Sequence, residues 1–273
     1  NTESGGVAEV TQWIADGGQA AGLYTEIPSN PLLRTADLSG LAPLLRKHDI
    51  PLIVDDTVAT CVNVDGLLYA DAVTSSLTKA FSGAGDVAAG SVVLNPKSPF
   101  YDLLLEALPS EESASPLFAR DAIVLEVNSR HFQERIEATN ENALALVDWL
   151  SARPEVKFLW HPTLSCRTHF DSVRRDAGGY GALFSMELHG GEGAAARFYD
   201  HLRLSKGPGL GTNFSLVCPY TLLAHFQEME WAEARGAVRN LLRIWVGLEE
   251  TPDLLDIFQD AFQKSDAESA SIT

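Results

Sequence analysis

Lys79 and Asp55 are the two side chains best suited to covalent and acid–base catalysis in this sequence. Lys79 stands in Ser75-Ser76-Leu77-Thr78-Lys79-Ala80-Phe81-Ser82-Gly83, downstream of Asp55 in Ile53-Val54-Asp55-Asp56-Thr57. A lysine amine condenses with an aldehyde as a Schiff base. A carboxylate ending a buried strand can hold a pyridine nitrogen protonated, which makes the ring an electron sink. The pairing suggests a pyridoxal 5'-phosphate (PLP) site, with the hydroxyls of Ser76 and Thr78 available to the cofactor phosphate. Taken singly each piece is common, because strands ending in Asp-Asp and lysines beside Ser and Thr arise often by accident. Asp55 and Asp56 are neighbours on a strand, so they point to opposite faces and only one easily reaches the ring.

The surrounding motifs raise the specificity. Glu26-Ile27-Pro28-Ser29-Asn30-Pro31-Leu32, Val54-Asp55-Asp56-Thr57 and Ser76-Leu77-Thr78-Lys79 with Gly83, Asp86 and Gly90 are followed by Gly178-Gly179-Tyr180-Gly181, Leu210-Gly211-Thr212 and Leu242-Arg243-Ile244-Trp245-Val246-Gly247-Leu248-Glu249. In this order they resemble the cystathionine gamma-synthase-like (Cys/Met metabolism) family of PLP-dependent enzymes over nearly the whole chain. Gly211-Thr212-Asn213-Phe214 is similar to a segment of the fungal branch.

The resemblance implies an α/β fold: an aspartate-aminotransferase-like (fold type I) large domain with a mostly parallel sheet, and a smaller α+β C-terminal domain. It implies that Lys79 anchors the cofactor and carries protons, that Asp55 pairs with the pyridine nitrogen, and that Asn30 bonds the phenolic oxygen at the edge of the substrate site. Arg243 would clamp the substrate α-carboxylate, since a guanidinium offers two parallel donors. A strand arginine paired with Glu249 is the bland alternative. Thr212 and Asn213 are nearby polar candidates. Gly209 stands where many relatives carry serine, Trp245 replaces a small residue, and Asp56 stands where the family usually has Asn.

The family's phosphate-binding Gly loop, ring-stacking aromatic and the Tyr and Arg given to a neighbouring subunit lie upstream of the segment resembling Asn1, so the chain is expected to be N-terminally incomplete. The implied activity is γ-replacement on an O-acylated homoserine by a thiol or carbon nucleophile. A cystathionine or methionine γ-lyase and a non-catalytic oligomerisation module are the alternatives. Shared sites imply a homo-oligomer, a dimer of dimers.

Residues 21–27 and 51–55 read as strands around a helix carrying Leu38, Leu41, Leu44 and Leu45 behind a cap at Asp37 or Ser39. Residues 72–75 and 91–94 add strands to a sheet expected to be covered on both faces. Residues 100–108 read as a helix, 109–116 as a loop and 119–150 as helices leading into the second lobe. The expected domains are residues 1–135, binding PLP, and 136–273. In the second, strands at 156–160, 181–188 and 241–246 alternate with helices near 194–202 and 252–262, and residues 265–273 read as a frayed tail.

A chain of 273 residues with 37 acidic and 20 basic side chains, net −17, lacks the basic surface that nucleic-acid binding requires. Three scattered cysteines and seven histidines form neither a disulfide framework nor a metal-ligand spacing, so no metal is expected and a cytoplasmic setting fits. No apolar run approaches the roughly 18 residues of a membrane span.

Overall fold

The computed structural model describes residues 5–108 and 117–272; the loop expected at 109–116 lies outside the described residues. The first sheet has the order β1 (Leu23–Glu26), β2 (Leu52–Asp55), β3 (Ala72–Ser76), β4 (Gly90–Leu94), with the first three parallel and β4 antiparallel at the edge. Helices α1 (Val7–Ala15) and α2 (Leu38–Lys47) belong to its core. The α2 sequence puts Leu38, Leu41, Ala42 and Leu45 on one buried stripe, and the Asp37 carboxylate caps it by accepting the Gly40 N–H at 3.0 Å. These side chains meet Leu52, Val54 and Val73 from the sheet.

The opposite face differs from expectation. Tyr24 on β1 is 57% exposed, and Glu26 and Val92 are exposed as well. The face that carries Asp55 and Thr74 is therefore open among the described residues, whereas the Val54 face is covered. Short α3 (Thr60–Asn63) follows β2, and α4 (Tyr101–Ala107) follows β4.

Helices α5 (Ala119–Ser129) and α6 (Phe132–Ser151) lead to the second sheet, and Arg135 lies in the first turn of α6. After β5 (Val156–Trp160) come α7 (Arg167–Asp171), β6 (Leu183–Leu188), α8 (Gly191–His201), β7 (Ser205–Lys206), β8 (Leu216–Pro219), α9 (Tyr220–Ala224), α10 (Met229–Glu233), β9 (Leu242–Trp245) and α11 (Thr251–Ile272). The sheet order is β5-β6-β9-β8-β7, antiparallel except for β7 against β8. Ile136, Leu146 and Leu150 of α6, Phe198 of α8 and Phe258 of α11 form its core with Phe184 and Ile244.

One sequence expectation changes here. Residues 265–272 are not a frayed tail: α11 continues through them, with Ser265 only 6% exposed and an His201–Glu268 contact of 2.8 Å fastening this part to α8. Strands β7, two residues long and followed by Gly207, Pro208 and Gly209, and β8, four residues long, carry too few alternations for a strand pattern to show in the sequence.

Candidate active site

Strand β2 ends at Asp55, and Asp56, the residue after it, faces the opposite way. Asp55 Oδ1 accepts the Thr57 N–H at 2.8 Å, and Oδ2 accepts the Tyr24 hydroxyl at 2.5 Å, with Thr74 Oγ1 3.3 Å from the same phenol. Burial and the adjacent Asp55 carboxylate raise the Tyr24 pKa, so the phenol remains a donor. Tyr24 carries no local signal of this role; the parallel register, which brings β1 beside β2, makes it Asp55's neighbour.

Asp56 turns the other way. It is 2% exposed and accepts the Ser75 hydroxyl at very short range. Burial, opposed by that bond, pushes its pKa from an ordinary 3.8 up to about 6. The fold therefore holds the Asp56 proton more tightly than the unfolded chain. Its stabilising contribution is fully present below about pH 4 and is lost as pH rises towards 6. Asp56→Asn should erase this dependence and leave the cofactor-free protein about 1–3 kcal/mol more stable at pH 7. Urea unfolding at pH 5 and pH 7.5 checks it; an unchanged pH dependence would refute the buried-charge account. A cavity of about 380 Å³ borders Asp56, Ser75, Cys61 and Phe132, but neither Lys79, Asp55, Asn30 nor Arg243 lines it.

Lys79 sits inside a widened turn, Leu77–Phe81, closed by Ser82 N–H to Leu77 O at 3.1 Å, and has non-helical angles (φ −84°, ψ −127°). Such widened turns concentrate at functional sites because they redirect one side chain without ending the helix. Among the described residues its amine has no hydrogen-bond or ion-pair partner, and neither has the Ser76 hydroxyl. Thr78 is differently placed from the expectation of a free phosphate ligand. Its Oγ1 accepts the Ala89 N–H at 2.9 Å and lies 3.3 Å from Ala89 O, which holds β4 against the lysine turn.

The second sheet supplies Arg243, which β9 presents between Ser185 and Cys218. Its Nη1 donates to Asn30 Oδ1 at 3.1 Å, and its Nη2 to the carbonyls of Pro208 and of Gly209, the latter at 3.2 Å. The Tyr220 ring lies 5.0 Å from the guanidinium carbon. Asn30 is in turn fixed by its own N–H, 3.0 Å from Glu26 Oε2, and the Ser185 hydroxyl donates to Pro31 O at 2.7 Å. Thus two residues far apart in sequence meet across the two sheets. Glu249 is not the partner of Arg243: it accepts from Ser215 N and Oγ at 2.7 and 2.8 Å.

Thr212 directs its hydroxyl to Phe214 O at 2.6 Å, while its carbonyl accepts the buried Trp245 indole N–H at 2.7 Å. Both groups are engaged in shaping the loop. Gly211 in that loop (φ +83°) approaches the lysine turn so closely that a Cβ would lie 2.7 Å from Lys79 Cα, which accounts for glycine there.

The sequence profile described as "Cys/Met metabolism PLP-dependent enzyme" matches residues 5–263. The chain belongs to this family. It is 41% identical over 257 residues to a cystathionine gamma-synthase of Neurospora crassa, covering 94% of this chain and 41% of that protein. It is also 41% identical to a cystathionine gamma-synthase of Saccharomyces cerevisiae, covering 92% of this chain and 40% of the relative. The chain thus spans about two-fifths of the length of these curated relatives.

Among solved structures, a cystathionine gamma synthase from Xanthomonas oryzae pv. oryzae in complex with cystathionine superposes with a TM-score of 0.86 at 26% identity, over 97% of this chain and 68% of that one. A cystathionine gamma lyase from Micromonospora echinospora superposes with a TM-score of 0.79 at 27% identity, over 89% of this chain and 64% of that one. The fold is accordingly the type I PLP fold expected. The residues present fit the family's cofactor in the chemistry they offer: an amine at Lys79 and a hydroxyl at Ser76 that have no partner among the described residues, and an oriented carboxylate at Asp55.

Proposed function

We propose that this chain forms part of a PLP-dependent enzyme that replaces the γ-substituent of an O-acylated homoserine with a thiol or carbon nucleophile. The contact of Arg243 with Asn30, which joins the C-terminal sheet to the loop after β1, carries the reading. It creates a cationic, hydrogen-bonding corner where an amino-acid carboxylate would be fixed relative to the first sheet. PLP, when bound, supplies an electron sink for carbanion chemistry at the substrate α- and β-carbons.

In this reading Lys79 would hold the cofactor and then move protons at the substrate carbons, since its amine has no competing partner among the described residues. Asp55 would keep the pyridine nitrogen protonated, with Tyr24 and Thr57 fixing the carboxylate's orientation. Ser76 would bind phosphate through its hydroxyl. Thr78 would do so by exchanging its weaker 3.3 Å contact with Ala89 O for the phosphate oxygen. Arg243 and Asn30 would bind substrate, and Thr212 would contribute through the loop it shapes.

A γ-lyase reading stands second, motivated by the solved γ-lyase with the same fold. Incubation of the protein with an O-acylhomoserine and cysteine separates them: both routes release the acyl group as its carboxylic acid, but a thioether is expected beside it, whereas 2-oxobutanoate and ammonia with no thioether would favour elimination. We further propose a large domain ending near residue 135, a homo-oligomer built as a dimer of dimers, and a cytoplasmic setting; no described helix is long and apolar enough to cross a membrane. Light scattering on the full-length protein should report at least a dimer.

Arg243→Lys should raise KM for the amino-acid substrate about tenfold or more with little change in cofactor content, because an ammonium cannot reproduce the fork. Steady-state kinetics checks this. An unchanged KM would assign Arg243 to holding the loop at Pro208 and Gly209.

A further inference from the structure

The widened turn that displays Lys79 has a structural cost: the carbonyls of Ala80 and Phe81 need donors from outside the turn. Ala80 is only 3% exposed, so water is not a ready substitute. Both carbonyls are met by one side chain. Arg135 Nη1 donates to Ala80 O at 3.1 Å, and Nη2 to Phe81 O at 2.8 Å. The same guanidinium reaches Asn213 Oδ1 at 2.9 Å and Asn128 O at 2.9 Å, so four acceptors from three segments converge on it.

Asn213 closes the arrangement by donating its own N–H to Gly83 O at 2.7 Å. A Cβ at Gly83 would collide with the Arg135 guanidinium and the Asn213 amide oxygen, and Gly211 abuts the Lys79 backbone. The loop that contains Gly211 and Asn213 begins at Pro208 and Gly209, whose carbonyls hold Arg243. Arg135 therefore stands where the lysine turn, the end of α5 and the loop supporting Arg243 join.

We propose that Arg135 is a positioning residue for Lys79, fixing the turn so that the amine is presented to a cofactor aldehyde and coupling that turn to the loop beneath Arg243. The inference rests on the reading that Lys79 holds the cofactor. The fork geometry explains the choice of side chain: a planar guanidinium meets four acceptors at once, while a lysine ammonium at the same distance has one nitrogen and would leave part of the set without donors. No catalytic contact is required of Arg135, because both of its Nη groups are taken up by protein carbonyls.

The test compares the native full chain with Arg135→Gln, Arg135→Lys and Asn213→Ala. Each is incubated cofactor-free with stoichiometric PLP, reduced with borohydride and mapped for labelled lysines. The pH midpoint of the cofactor's visible band and the unfolding midpoint are measured alongside. In Arg135→Gln the share of label at Lys79 should fall about fivefold or more, with the pH midpoint displaced, as expected when a reacting amine loses its preset geometry. Arg135→Lys should recover only part of this, and Asn213→Ala should shift both readouts less in the same direction.

Unaltered label distribution and pH midpoint in all three variants, whatever happens to the unfolding midpoint, would reduce Arg135 to a structural strut and overturn the proposal. Should Arg135→Gln fail to fold, the same comparison in Asn213→Ala, whose side chain lies on an exposed loop, decides it. Failure to label Lys79 in the native chain would instead overturn the assignment of Lys79 itself, together with this inference.

Discussion

Replacing Lys79 with alanine should lower turnover by about a thousandfold or more, because one substitution removes both the covalent anchor and a proton carrier. The structure adds a reason to expect little collateral damage. The amine has no partner among the described residues, so its removal orphans no buried group, and the turn is held by backbone and Arg135 contacts that alanine retains. The unfolding midpoint should accordingly stay close to that of the native protein while the visible absorption of a lysine-bound cofactor disappears. Borohydride labelling of a different lysine in the native protein, or turnover within tenfold of native in the variant, would remove Lys79 from the mechanism.

Asp55→Asn should lower turnover by about 10²–10³-fold, the range typical of losing one preorganised electrostatic contact in a site. A neutral amide does not favour a protonated pyridine nitrogen, so the loss should fall on the chemical step and exceed any loss of cofactor content. Asp56→Asn supplies the internal control, because the two acids occupy opposite faces: Asp55 meets Tyr24, and Asp56 meets Ser75. The second substitution should act on stability and on its dependence on pH. If Asp56→Asn produced the larger loss of turnover and Asp55→Asn were nearly silent, the faces would have been assigned the wrong way round.

Much of this division was legible in the sequence because it depends on short-range rules. Strand alternation separates Asp55 from Asp56, the stripe from Leu38 to Leu45 defines α2 with Asp37 as its cap, and the order of motifs from Asn30 to Arg243 points to the family. The same rules misjudged residues 265–272, where polar composition suggested fraying. Contacts with α8 hold that stretch in helix, and such contacts have no local signature.

The chemical inventory of the site, with a lysine, an acid, hydroxyls and an arginine, is thus a property of the sequence alone, since residue type fixes what each side chain can donate, accept or condense with. Which of these groups are free and which are engaged was decided only by the tertiary structure. Packing brings Tyr24 to Asp55, Asn30 to Arg243 and Arg135 to the turn bearing Lys79, and it commits Thr78 and Thr212 to backbone partners. Each pairing depends on strand register or on the docking of one sheet beside the other. These are long-range outcomes of burial and hydrogen-bond satisfaction that no window of neighbouring residues contains.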